Sequence, residues 1–188
     1  VIAASQSQIH VVEGMHDLLE GDLDNTSLTP DGVVKVGPAM KVLADGMTGP
    51  VLAVTKAGDG ALYAATASPG RVWKVSGAKP EAILESDKPL VTALLPLGKN
   101  KLVAITAPDG GAEVIDLATR KHESIPCKDA KMLLAGTVVD DVIYAVGGGE
   151  EGVVVKLAPG ALAWEVAAKT KEAQLRSIAA AKVHGALH

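Results

Sequence analysis

The feature that most limits what this chain can become is a repeat. The segment Gly60-Ala61-Leu62-Tyr63-Ala64-Ala65-Thr66 recurs as Lys101-Leu102-Val103-Ala104-Ile105-Thr106 and as Val142-Ile143-Tyr144-Ala145-Val146-Gly147. It starts again at Gly185-Ala186-Leu187-His188. The anchors Leu62, Leu102, Ile143 and Leu187 stand 40, 41 and 44 residues apart. Nine residues before each anchor lies another small or apolar residue: Ala53, Ala93, Leu134 and Ile178. After each complete copy come a glycine-bearing turn and a second apolar run, at 71–75, 112–117 and 153–157. Self-similarity at this period means that each unit cannot bury its apolar face alone and must stack on its neighbours.

Each unit reads as four short strands. In the first, residues 51–55 form an inner strand and Gly58-Asp59-Gly60 turns into a second strand at 62–66. Ser68-Pro69-Gly70 turns into a third at 71–75, and a fourth follows at 81–85. The first two are nearly continuous apolar runs, as expected of sheet covered on both faces. The outer two alternate, which suits half-exposed positions. Four strands in about 40–45 residues is the period of a β-propeller blade.

The pattern extends backwards: 32–36 matches a third strand and 40–45 a fourth. The expected organisation is an N-terminal lead-in at 1–31, then an outer half-blade at 32–49. Whole blades follow at 50–89, 90–130 and 131–174, with an inner half-blade at 175–188. The fold class is all-β, with antiparallel four-stranded blades forming part of a larger or oligomer-closed propeller. In the third blade the alignment places the outer strand at 162–166 and the next inner strand at 176–180. Because 161–184 lacks Gly and Pro and is rich in Ala, Lys and Glu, a helical tail over this stretch is the competing reading.

The half-blades complement each other. They can close a small ring within one chain or pair between two chains, where two sets of three and a half blades would make seven. Otherwise the stop within a strand at His188 marks a piece of a longer protein. The partners expected are therefore a protein or additional propeller blades.

Ala61-Leu62-Tyr63-Ala64-Ala65-Thr66 with Gly70-Arg71-Val72-Trp73-Lys74-Val75 resembles the half-blade of bacterial β-propeller repeat proteins of the broad WD40-like, NHL and quinoprotein-like kind. The resemblance covers 32–188. The chain departs from strict WD40 repeats: no Trp-Asp closes a blade and no Gly-His opens one. What the resemblance implies is architecture and partner binding, with no single chemistry.

Composition supports short elements and narrows the functions. Gly 20 and Pro 10 make about one residue in six, and no Phe is present, so Val, Leu, Ile and Ala must fill the core. Lys and Arg number 18 against 22 Asp and Glu, a net charge of −4 that gives no basic field for nucleic acid. No apolar run approaches the roughly 18 residues of a membrane-spanning helix, so no membrane insertion is expected. Cys127 is the one cysteine, which excludes an intrachain disulfide framework. That fits a reducing compartment and equally an extracytoplasmic protein that avoids cysteine. Val1-Ile2-Ala3-Ala4-Ser5 is compatible with the stub of a processed signal peptide, but five residues do not establish one; the compartment stays open, with a slight lean to a periplasmic or secreted protein.

Candidate chemistry is sparse. Gly147-Gly148-Gly149-Glu150-Glu151-Gly152 matches G-x-G-x-x-G after a strand, but a β-branched run follows where a dinucleotide site needs a helix N-terminus. It reads as a turn, and no cofactor is expected. His10, His16, His122, His184 and His188 lack metal-ligand spacing, and Cys127 has a lysine beside it but no catalytic motif. Asn25-Thr26-Ser27 is a glycosylation sequon in a turn-like stretch. The four inner strands carry no carboxylate and no histidine, which argues against a propeller hydrolase with a metal at the axis. The remaining candidate is a polar rim of turns and blade-to-blade links: Ser68, Asp87, Lys88, Asp109, Lys128, Asp129, Glu150, Glu151, Lys171 and Glu172. The reading is a non-enzymatic scaffold for protein or ligand binding. The alternative is part of a propeller hydrolase or oxidoreductase whose active residues lie outside these 188.

Overall fold

The computed structural model describes residues 16–17, 25–37, 41–183 and 186–187, and these divide into two units, 1–42 and 43–188. In the first unit, β1 (Thr26–Leu28) and β2 (Val34–Val36) form an antiparallel hairpin in which Ser27 faces Lys35. Thr29 closes its turn: its Oγ1 donates to the Val33 carbonyl at 3.0 Å and accepts from the Val33 N–H at 3.2 Å.

The second unit is built from three four-stranded antiparallel sheets. The first contains β3 (Val51–Lys56), β4 (Leu62–Thr66), β5 (Arg71–Val75) and β6 (Glu81–Glu85). The second contains β7 (Leu90–Leu97), β8 (Lys101–Ala107), β9 (Gly111–Asp116) and β10 (His122–Pro126). The third contains β11 (Met132–Val139), β12 (Val142–Gly148), β13 (Gly152–Leu157) and β14 (Glu165–Thr170). Each is a simple meander of neighbours in sequence. A short hairpin of β15 (Lys182–Val183) and β16 (Ala186–Leu187) follows. Apart from the helical pair His16 and Asp17, the described residues contain no α-helix.

The sheets stack through their inner strands, β7 lying against both β3 and β11. Strand β8 shows why its sequence is an unbroken apolar run. Leu102 and Ala104 join Tyr63, Val72 and Leu84 in a core between the first two sheets. Val103 and Ile105 point the other way and join Leu133, Ile143 and Val155 in a second core. Without Phe, close packing relies on small residues, and Ala65, Ala104 and Ala145 are fully buried mid-strand. Each inner strand carries a register irregularity at a corresponding place, between Val51 and Ala53, Val91 and Ala93, and Leu133 and Ala135.

Five expectations need correction. The outer strand of the third sheet is Glu165–Thr170 rather than 162–166. The Ala161 N–H turns back to the Ala158 carbonyl, and the Trp164 indole is fixed on the Ile125 carbonyl, so pairing with β13 begins only after Trp164. Residues 176–180 form no strand; the chain makes a single bridge from Gln174 to Gly148 and then runs irregularly. Residues 41–45 also lack strand, while Met40 lies outside the described residues, as do His10, His184 and His188. The sequon at Asn25 enters strand β1 instead of a loop. The helix over 161–183 does not form, because the open edge of β13 recruits 165–170 as its partner and overrides propensity.

A buried tyrosine ties the β3–β4 turn to the sheet. The Tyr63 hydroxyl donates to Asp59 Oδ2 at 2.8 Å, and the Ala61 N–H donates to Oδ1 at 3.0 Å. Burial on its own would raise the Asp59 carboxyl; these two donors and the Lys74 ammonium outweigh it and hold the group below the usual range. A depressed carboxyl stabilises the fold above its unfolded value of 3.8, and that contribution is lost as pH falls through the lower folded value. Tyr63→Phe is expected to cost about 1 kcal/mol in urea unfolding at pH 7. The deficit should shrink below pH 3.8, because a protonated Asp59 makes a weaker hydrogen bond. A deficit unchanged with pH would refute the assignment.

Candidate functional site

The rim residues do not form one site. The structure distributes them among three kinds of place, each set by the repeat.

Ser68 and Asp109 occupy equivalent turns between the second and third strands, with φ of 50° and 45°. Their backbone N–H groups donate to the carbonyls of Pro89 and Lys131 at 2.7 and 2.8 Å, in the links to the next sheet. In the third turn the Gly149 N–H makes the same bond to Ala173 at 3.2 Å. These positions therefore work as staples between a turn and the following link. Lys171 and Glu172 are exposed on the link after β14, where the Glu172 carbonyl accepts the Gly152 N–H.

Lys128, Asp129, Glu150 and Glu151 do converge. With Lys131, Val153 and Lys169 they line a cleft of about 320 Å³ between the second and third sheets. Lys169 reaches Glu151 at 3.4 Å. Three ammonium groups and three carboxylates balance one another there, a mixed surface of the kind found at polar interface rims. Cys127 precedes this link but is buried, and burial pushes its thiol up, opposite to the lowering that the adjacent Lys128 would produce alone.

Asp87 and Lys88 pair at 3.6 Å on the link between the first and second sheets. Asp87 also lines a second cleft, of about 270 Å³, with Leu84, Glu85, Ser86, Glu113, His122 and Ser124. Glu113 in this cleft was not singled out from the sequence. The signal lay in the repeat: Glu113 stands eleven residues after anchor Leu102, just as Trp73 stands eleven after Leu62.

Other motifs resolve plainly. The glycine run at 147–152 joins strand β12 to strand β13, so no helix N-terminus is available for a pyrophosphate. Among the described residues, no group of three or more His, Cys, Asp or Glu is arranged to hold a metal ion. No described helix is long and apolar enough to cross a membrane.

No protein-family model matches the sequence, and no curated protein sequence matches it. Solved structures do. A chain in the crystal structure of a nidogen/laminin complex superposes with a TM-score of 0.56 at 9% identity, over 66% of this chain and 50% of that one. The computationally designed Ika4 protein gives 0.51 at 14% identity, over 79% of this chain and 90% of its own. The designed Ika8 protein gives 0.51 at 18% identity, covering 87% of this chain and 52% of its own. These are propeller structures, and identities so low speak to fold alone. The chain thus spans half the length of the nidogen/laminin-complex chain it matches. Three side-by-side meanders joined through their inner strands, together with these likenesses, define an all-β protein built of β-propeller blades. More narrowly, the described residues make three whole blades without a closed ring.

Proposed function

We propose that this chain is a binding scaffold, a run of propeller blades completed by further blades and presenting its inter-blade clefts to a protein partner. One observation carries the proposal. Val51, Leu52 and Val54 on β3 are 45, 46 and 62% exposed, whereas Val91 and Leu94 on the equivalent strand β7 are 0 and 6% exposed. Among the described residues of its own unit, the inner strand of the first blade thus has the composition of a covered surface without its cover. Bare apolar sheet invites association, and terminal repeats that stand alone ordinarily carry polar caps. The cover is a further blade, supplied by a longer chain or by a second copy. In support of a binding role, the clefts carry paired charges, and the inner strands carry apolar and small residues where an axial active site would need carboxylates or histidines.

Sedimentation velocity tests this. The 188-residue chain is expected to run as a dimer or larger species at micromolar concentration, and Val54→Lys is expected to shift it towards the monomer. A wild-type chain that stays a monodisperse monomer would overturn the proposal.

A further inference from the structure

The cleft between the first and second blades holds a chemical anomaly. Cross-strand register places Trp73 opposite Ala64, Glu113 opposite Ala104, and Val155 opposite Ala145. These are equivalent positions on the third strand of each blade. All three are buried, at 8, 5 and 0% exposure. Two blades fill the position with an apolar side chain; the second blade fills it with a carboxylate. Glu113 Oε2 is enclosed and accepts no hydrogen bond from the protein. A buried charge without a partner is strongly unfavourable, and an apolar residue in its place is commonly more stable. The sister blades show that the site tolerates such residues.

The remaining walls of the cleft indicate what would compensate this charge. Leu84 and Glu113 are buried at its floor, while Glu85, Asp87, His122 and Ser124 are exposed around them. Glu85 is already paired with Arg71 at 2.8 Å, and Asp87 with Lys88 at 3.6 Å. Glu113 is the carboxylate left without a bond from the protein, and a cationic donor is the ligand that complements it. A bare divalent ion would need several protein oxygens converging at once, and no such group exists among the described residues. A planar guanidinium needs less: its parallel N–H donors engage both oxygens of one carboxylate. It is also weakly hydrated, so it enters a half-enclosed site more readily than an ammonium. The volume of about 270 Å³ accommodates a whole side chain, with its methylene stem against Leu84 and Ser124 as a second acceptor beside Glu113.

We infer that this cleft is a receptor for an arginine side chain presented by a partner protein, with Glu113 as its anchor. The inference rests on the scaffold reading only for the source of that arginine. The cleft itself lies between two described blades and does not depend on ring closure.

N-acetyl-arginine amide serves as the probe, titrated into the 15N-labelled chain, with N-acetyl-lysine amide and calcium chloride in parallel. The arginine compound is expected to give saturable shifts at the amides of Glu113, Ser124 and Asp87, about tenfold tighter than the lysine compound. Calcium is expected to give none there. Glu113→Gln should weaken arginine binding at least tenfold, and Glu113→Leu should abolish it. Glu113→Leu should melt at or above the wild-type temperature, since it removes an enclosed acceptor that has no partner in the protein. Absence of saturable shifts, equal response to lysine, displacement by calcium, or a Glu113→Leu variant that melts lower than wild type would each overturn the inference. Sedimentation reports on the open face of the first blade, so failure of the one reading is distinguishable from failure of the other.

Discussion

Gly147→Ala is expected to cost about 3 kcal/mol or more and to unravel the inner pair of the third blade. Gly147 lies directly across from Leu133 in the β11–β12 ladder. A Cβ added there would fall on the Met132 carbonyl oxygen and within 2.9 Å of the Leu133 Cα. Those are backbone atoms, and they can retreat only by breaking the ladder that aligns the blade. The neighbouring Gly149 provides the control. The three atoms nearest its added Cβ are Lys131 side-chain carbons at 3.3 to 3.4 Å, of which Cγ and Cδ can swing aside. Gly149→Ala should therefore lie within about 0.5 kcal/mol of wild type. Urea unfolding of both variants checks the pair. A loss at Gly147 below about 1 kcal/mol would mean that the two strands do not approach as described. The result also bears on the glycine-rich motif, whose first glycine is required by strand proximity.

Blade architecture was legible because a buried strand and its turn are local features repeated in order. The expected second strand at 62–66, third at 71–75 and fourth at 81–85 coincide with β4, β5 and β6. Repetition failed where the copies differ in length. The connection between the paired residues Val146 and Val154 carries one residue more than those between Ala65 and Val72 or Ile105 and Ala112, so Val155 rather than Val154 faces Ala145. The outer strand of that blade then slips to Glu165–Thr170, held back by the Trp164 indole. Residues 176–180 align with an inner strand in sequence, yet the structure gives them no ladder partner. Pattern marks what a segment tolerates; a neighbour decides whether it pairs.

The candidate sites were less legible for a related reason. The polar rim follows from the place of turns and blade-to-blade links in the repeat, and Ser68 and Asp109 contribute backbone staples there more than side chains. Glu113 sits in an ordinary-looking strand, Ala112-Glu113-Val114-Ile115, where a single carboxylate would pass as the exposed half of an alternation. Only the register against Ala104, together with the blade packed over it, turns that residue inward.

Trp164→Ala is expected to cost about 3–5 kcal/mol and to separate the melting of the third blade from that of the other two. Trp164 precedes β14 on the third blade and is 8% exposed. It packs in the same core as Ile125, Leu157 and Ile143, and its Nε1 donates to the Ile125 carbonyl on β10 at 3.0 Å. The side chain thus joins the outer strand of one blade to the next. In stacked repeats, stability is a sum of intrinsic terms and nearest-neighbour interfaces. A change confined to an interface should therefore split one transition into two, whereas Gly147→Ala attacks the interior of a single blade. Trp164→Phe keeps most of the packing and loses the hydrogen bond, so about 1–2 kcal/mol is expected from it alone. Hydrogen exchange should show the same ordering in Trp164→Ala, with β13 and β14 amides losing protection before those of β8. One cooperative transition with a loss below about 1 kcal/mol would show that the indole does not couple the blades.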